Sequence, residues 1–103
     1  MSEIQLSLSS IPSPVPGLVS RVVRNEAILV MPEQGKVKVL NEVGARIWEL
    51  SDGTRTIQQI AIQICSEYQV EALEAETDIL DFVSDMVARG LLSTSDQPSA
   101  ADE

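Results

Sequence analysis

The sequence predicts an α+β domain in which a three-stranded antiparallel sheet is followed by three helices on one face. Two observations carry this prediction. Residues 18–40 hold three short β-type runs separated by turn signals, and after Leu40 the apolar residues recur at helical spacing. A length of 103 residues suits one domain with one modest core.

The three predicted strands are the runs LVSRVVR, AILVM and KVKVL. Asn25-Glu26 separates the first pair and residues 32–35 separate the second, so the runs form an antiparallel meander. The continuously apolar AILVM is typical of a middle strand that is covered on both faces.

The third run alternates as a half-buried strand does, with Val37 and Val39 on one face and Lys36, Lys38 and Leu40 on the other. Sequential hairpins place this run at an edge of the sheet. We expect its lysines to lie on the outer face, where they discourage unwanted pairing with other strands.

Two capped helices follow the sheet. Asn41 is predicted to be the N-cap of the first helix, and Asp52-Gly53 is predicted to end it. Thr56 with Gln59 three residues later matches a capping box at the start of the second helix.

A third helix is predicted from about Glu74 to Arg89, with Gly90 closing it. One face carries an acidic stripe of Glu74, Asp78, Asp81 and Asp85. The opposite side is centred on Ala75, Ile79, Phe82, Val83 and Met86, and is widened by Leu80 and Val87. The acids alone are typical of a solvated face, and Leu80 and Val87 either touch the sheet, contact a second copy or remain for a guest.

The two ends of the chain are predicted to be loosely held segments. Residues 1–17 are rich in Ser and Pro and are predicted to be a flexible arm. Residues 18–94 form the domain, with Leu91-Leu92 returning onto the core, and residues 95–103 are predicted to be a disordered acidic tail.

Composition argues against several kinds of site. The chain has no histidine and a single cysteine, Cys65, so the sequence predicts no catalytic residue, no metal site and no cofactor. No segment predicts export or membrane insertion, and we expect a cytoplasmic protein. The formal charge is −9, and residues 41–103 carry thirteen acids against three bases, which opposes nucleic-acid binding.

An exposed edge strand beside an apolar helix is the geometry for β-strand addition by a guest peptide. The strand residues at this predicted edge are Lys36, Val37, Lys38, Val39 and Leu40. The acidic stripe predicts a guest with basic residues beside its apolar anchors.

Residues 28–92 resemble the PqqD-like family, which includes the D component of pyrroloquinoline quinone biosynthesis and related peptide-recognition elements. The resemblance rests on MPEQG, VLNEVGARIWEL, SDGTRTIQQIA and TDILDFVSDMVARGLL. It implies a winged helix-turn-helix fold without enzymatic activity. It also implies that the leader of a ribosomally made precursor peptide adds beside the third strand and is presented to a maturation enzyme, such as a radical S-adenosylmethionine protein. Carried onto this sequence, the resemblance implies that the peptide pairs with residues 36–40 in a groove whose helix wall is formed by Asp78, Ile79, Leu80, Val83 and Val87.

Two other functions remain open from the residues. The topology permits a winged-helix DNA-binding module, although the charge opposes it. The widened apolar side of the third helix also permits a structural or dimerisation module, in which this side pairs with a second copy of the chain to form a homodimer.

Overall fold

The structure, a computed structural model, describes residues 6–95. In chain order its elements are β1 (Ile11–Pro14), β2 (Val19–Val23), β3 (Glu26–Met31), β4 (Lys36–Leu40), α1 (Glu42–Leu50), α2 (Ile57–Tyr68), α3 (Ala72–Ala88) and β5 (Leu92–Ser95). Strands β2, β3 and β4 form one antiparallel sheet in that order, and β1 pairs with β5 in a second. The predicted α+β fold, with a three-stranded sheet followed by three helices, is confirmed, and the β1–β5 pair adds to it.

The β2–β3 hairpin closes through a two-residue turn in which Arg24 and Asn25 both have positive φ, at 53° and 69°. Two such residues form the turn that matches the twist of paired strands, and Asn tolerates this conformation well. Val23 pairs with Glu26 across the turn, and the register continues to Val19 opposite Val30. Residues 32–35 join β3 to β4, with Met31 opposite Lys36.

The hydrophobic core lies between the sheet and the three helices. Leu29 and Ala27 of β3 are fully buried beneath α1. Leu40, Leu91 and Leu92 also belong to the core, and the helices contribute its other side chains, which are mainly aliphatic: Ala45, Ile47, Trp48, Leu50, Ile57, Ile60, Ala61, Ile64, Ala75, Ile79, Val83 and Met86. These residues recur at three- and four-residue intervals, so each helix turns one apolar stripe toward the others.

The outer face of the sheet corrects two expectations. On β3, Ile28 and Val30 are only half-buried, so the middle strand is covered on one face and not on both. On β4, Val37 and Val39 are 63% and 58% exposed, so the prediction that the lysines occupy the outer face is wrong.

Leu40 explains the orientation of β4. It is buried against the helices, and successive side chains of a strand point to opposite faces. Lys38 and Lys36 share its parity and therefore lie on the helix side of the sheet. Lys38 is accordingly half-buried.

The expectation of a flexible arm is wrong for residues 6–17. Ile11 is buried, and β1 pairs residue by residue with β5 from Ile11–Ser95 to Pro14–Leu92. The backbone N–H of Gly53 donates to Pro12 at 2.9 Å, and that of Ile57 donates to the Ser10 carbonyl at 2.9 Å. Prolines favour an extended backbone, which here becomes a docked strand. Residues 1–5 and 96–103, which include most of the predicted tail, lie outside the described residues.

The predicted caps at Asn41, Thr56 and Gly90 are confirmed, while α1 ends at Leu50, just before the predicted Asp52-Gly53 stop, and α3 begins at Ala72, two residues before its predicted start. Asn41 accepts a hydrogen bond from the Gly44 N–H at 2.9 Å, and Thr56 with Gln59 forms the capping box. Gly90 has φ of 77° directly after the last residue of the α3 cap. In residues 6–95, no helix is both long and apolar enough to cross a membrane.

Candidate functional site

Strand β4 is a free edge of the sheet. Within residues 6–95 it pairs with β3 on one side and with no strand on the other, because the β1–β5 pair forms a separate sheet. In an antiparallel strand, every second residue turns its N–H and C=O away from the neighbouring strand. β4 therefore offers unpaired backbone donors and acceptors along its outer rim.

Helix α3 runs beside this edge and leaves a depression that we call the β4–α3 groove. Its upper part is a cleft of about 230 Å³ lined by residues 38–41, Gly44, Phe82, Asp85 and Met86. Its lower part is a cleft of about 300 Å³ lined by Leu29, Met31, residues 36–38, Ala88, Arg89 and Leu91. Lys38 lines both parts, so they adjoin.

The groove runs along β4 with α3 in the opposite direction. The start of the strand lies near the end of the helix at Arg89, and the end of the strand lies near Phe82. An extended segment paired with β4 would thus have α3 along its other side.

Gly44 deepens the upper part of the groove. A Cβ atom at this position would lie 3.3 Å from Asn41 Oδ1, 3.5 Å from Leu40 Cβ and 3.6 Å from Phe82 Cε1. A side chain would therefore enter the space between α1, β4 and α3. Glycine keeps that space open.

The structure separates the predicted site residues into two groups. Those of β4 lie together at the groove, with Leu40 buried at its upper end. Those of α3 do not line it. Ile79 and Val83 are 0% exposed and belong to the core.

The other three predicted helix residues lie on different surfaces. Val87 is half-buried and lines a separate cleft with Leu6, while Leu80 is half-buried and packs against the core. Asp78 is exposed. As contacts of a bound peptide these helix positions stay a prediction.

The sequence did not predict which side chains of α3 line the groove. Phe82, Asp85, Met86 and Arg89 follow one another at i, i+3, i+4 and i+7, so they form one stripe of the helix. Because this stripe mixes apolar, acidic and basic residues, the spacing of apolar residues in the sequence does not identify it as one surface. The flank of the helix that meets β4 is decided by tertiary packing.

The charges at the groove are mainly positive. Lys36 and Lys38 line it from β4, and Arg89 lines it from α3. Of the acidic stripe, only Asp85 lines the groove, and its Oδ2 lies 2.8 Å from Arg89 Nε. The acidic stripe therefore does not set the charge of this site.

Two observations on the residues that the structure describes concern metal ligands and reactive side chains. No group of three or more Cys, Asp or Glu residues in 6–95 is placed to hold a metal ion. Cys65 is a half-buried free thiol on α2, and the chain has no histidine to activate it.

A bidentate ion pair lies away from the groove. Arg46 of α1 meets Glu67 of α2 through two hydrogen bonds of 2.8 Å each. These bonds, with a third from Gln63, lower the pKa of Glu67 to about 2. The contact joins α1 to α2.

The family model described as Coenzyme PQQ synthesis protein D (PqqD) matches residues 26–92, which is more than half of the chain. The chain belongs to the PqqD family. The match begins at β3 and ends at the first residue of β5, so the free edge and α3 both lie inside it.

Relatives of this PqqD-family chain include proteins named PqqA binding protein. The one from Xanthomonas oryzae pv. oryzae (strain PXO99A) is 29% identical over 69 residues, covering 67% of this chain and 73% of the relative. The one from Xanthomonas campestris pv. campestris (strain 8004) is also 29% identical over 69 residues, with the same coverage.

Solved structures agree with the family assignment. TbiB1 in complex with the TbiA(beta) leader peptide superposes with a TM-score of 0.74 at 30% identity, covering 79% of this chain and 94% of that one. The PqqD truncation of Methylobacterium extorquens PqqCD, described as a stand-alone recognition element, gives 0.72 at 26% identity, covering 86% and 95%. A lasso peptide synthetase B1 complexed with the leader peptide gives 0.71 at 26%, covering 81% and 98%. The fold is thus the winged-helix type that the resemblance implied.

Proposed function

We propose that this PqqD-family chain binds the leader of a ribosomally synthesised precursor peptide by β-strand addition to β4. The bound peptide is then presented to a modifying enzyme, such as a radical S-adenosylmethionine enzyme. The observation that carries the proposal is the unpaired edge of β4 with the β4–α3 groove beside it.

In the proposed mechanism, affinity and selectivity come from different contacts with the guest peptide. Main-chain hydrogen bonds between the guest and β4 contribute to affinity for any extended segment. Side chains of the guest alternate between the two faces of the enlarged sheet. One set enters the groove between Lys38 and Phe82, and the other set lies beside the exposed Val37 and Val39.

The relatives support a leader peptide as the guest. Two of the similar solved chains are bound to leader peptides, and the Xanthomonas relatives are named for binding PqqA. The groove is open and elongated, as a peptide requires. A compact cofactor is more often held in an enclosed apolar pocket.

The proposed role is non-catalytic. The groove contains lysine, arginine and one ion-paired aspartate, and no nucleophile lies beside a base there. The chemistry would belong to the partner enzyme, and this chain would raise the local concentration of its substrate.

The test uses peptides selected for binding and then altered only in the backbone. A display library of random 12-residue segments is selected against the chain, and a bound sequence is resynthesised with a single N-methyl group at each position in turn. N-methylation removes one N–H donor and keeps every side chain. We expect affinity to fall about tenfold or more at every second position, because only alternate amides pair with β4.

Fluorescence anisotropy of the labelled peptides measures each affinity. The unmethylated peptide serves as the reference, and a scrambled peptide of equal composition serves as the control for non-specific binding. A loss that is equal at all positions, or absent at all positions, would contradict strand addition.

A further inference from the structure

The lower part of the β4–α3 groove is surrounded by three cations. Lys36 and Lys38 lie on the helix side of β4, and Arg89 faces them from the end of α3. The two lysines are the only lysines in the sequence. Both therefore stand at the one strand edge that the proposed function uses.

The lysines have no carboxylate partner in the described part of the chain. The salt bridges within residues 6–95 involve Arg46, Arg55 and Arg89, and no side-chain hydrogen bond is formed by Lys36 or Lys38 there. The sequence contains 16 acidic residues, so carboxylates are abundant on the rest of the surface. Lys38 is half-buried as a residue, and neither lysine is neutralised by a carboxylate of the described residues, so an incoming anion would meet uncompensated positive charge.

The floor of the same cleft is apolar. Leu29, Met31 and Leu91 line it, and the cleft measures about 300 Å³. It has room for an aliphatic or aromatic side chain, and the cations stand around that space. An apolar anchor next to a carboxylate matches this arrangement.

We infer that the groove selects guest strands that carry an Asp or Glu side chain opposite Lys36 and Lys38, next to an apolar anchor. The inference rests on the proposed function. In an added strand, the inward side chains lie directly across from the inward side chains of β4, and oppositely charged cross-strand pairs are favourable. The acid therefore belongs to the inward set, at the end of the guest that lies over the start of β4.

This inference reverses the charge that the sequence predicted for the guest. That expectation came from the acidic stripe of α3, of which only Asp85 lines the groove. Asp85 is already paired with Arg89 at 2.8 Å. The unpaired charges that face the guest are the lysines.

The experiment selects random 12-residue peptides, fused so that no C-terminal carboxylate is free, against three forms of the chain. These are the wild type, Lys36→Glu/Lys38→Glu, and the control Arg21→Glu/Arg24→Glu. The control makes the same change in net charge on the opposite edge strand and its turn. We expect Asp or Glu to be enriched at one position by the wild type and by the control, and Lys or Arg to replace it with the lysine variant.

Affinities of individual peptides make the test quantitative. A selected peptide, amidated at its C-terminus, is compared with its Glu→Gln or Asp→Asn counterpart by anisotropy. We expect the neutral peptide to bind the wild type about five- to tenfold more weakly, and the lysine variant to show no such preference. The difference should shrink as salt rises, because exposed charges are screened.

The outcomes separate this inference from the proposed function. If peptides are selected by the wild type without any acidic preference, the inference is overturned while peptide binding stands. If no form of the chain enriches any peptide, both are overturned. An acidic preference that survives in the lysine variant would also overturn the inference, because residues other than Lys36 and Lys38 would then bind the carboxylate.

Discussion

Arg46 and Glu67 show how one pair of residues joins two helices. The guanidinium meets both carboxylate oxygens in parallel, a geometry that is stronger than a single contact. About a third of each side chain is still exposed, so solvent screens the pair. Its contribution to stability is therefore modest and depends on pH.

We expect Glu67→Gln to lower the free energy of unfolding by about 1 kcal/mol at pH 7. The pKa of Glu67 lies near 2 in the folded chain, against an ordinary value of 4.5. A lowered pKa in the folded state stabilises above pH 4.5, and this stabilisation is lost as pH falls toward 2. The difference between variant and wild type should therefore shrink across that window.

Urea unfolding at several pH values measures this effect. Glu33→Gln is the matched control, because Glu33 is exposed in the β3–β4 turn and forms no salt bridge within residues 6–95. A Glu67→Gln effect that stayed constant from pH 7 to pH 2 would contradict the assigned role of the pair.

Local sequence predicted the features that depend on a few neighbouring residues. Asn41, Thr56 and Gly90 cap their helices as expected, since a cap is a contact within three or four positions. The prediction that the Lys38 side chain lies on the outer face of the sheet is wrong. The position of Leu40 indicates the correct face, because Leu40 is buried and Lys38 lies two residues before it on the same strand. A strand residue that enters the core directly before a helix cap fixes the parity of the strand that precedes it.

At the scale of elements, the docked N-terminal strand is the largest addition to the predicted fold. β1 pairs with β5 across nearly the whole length of the chain. Such a distant pairing leaves no periodic pattern, and the Ser- and Pro-rich composition of residues 6–17 resembles that of a linker. Sequence alone therefore gave no reason to dock this segment.

We expect Ile11→Ala to lower the free energy of unfolding by about 2–4 kcal/mol, because Ile11 is 3% exposed and its removal leaves a cavity. Ile62→Ala is the control, since Ile62 of α2 is 64% exposed. Urea unfolding measures the free energy of unfolding of both variants. Equal and small effects would mean that the arm is not held in the core.

The two flanks of α3 give a second test at this scale. Phe82 lines the β4–α3 groove, whereas Leu80, which the sequence placed in the wall, does not. Both side chains are half-buried and pack against the core. They are therefore a matched pair for truncation.

We expect Phe82→Ala to weaken binding of a selected peptide about tenfold and Leu80→Ala to change it less than twofold. Anisotropy titration measures both affinities, and circular dichroism checks that each variant is folded. A larger loss for Leu80→Ala would restore the helix wall that the sequence suggested.

For the molecule as a whole, the distribution of charge limits the possible partners. The helices carry eight of the 16 acidic residues of the sequence, five of them on α3, and the basic residues of residues 1–40 lie on the strands and turns of the sheet. A duplex-binding winged helix needs cations on the helix that meets the phosphates, and α3 is acidic. The exposed valines on the outer face of the sheet leave a homodimer as a prediction.

The most direct measurement is amide hydrogen exchange by NMR on the chain with and without a saturating selected peptide. Strand β2 is an internal control, because it is the opposite edge of the same sheet and is equally long. Strand addition predicts that alternate amides of β4 slow about tenfold or more while those of β2 do not. Unchanged β4 amides in the bound state, or protection at β2 instead, would contradict the account.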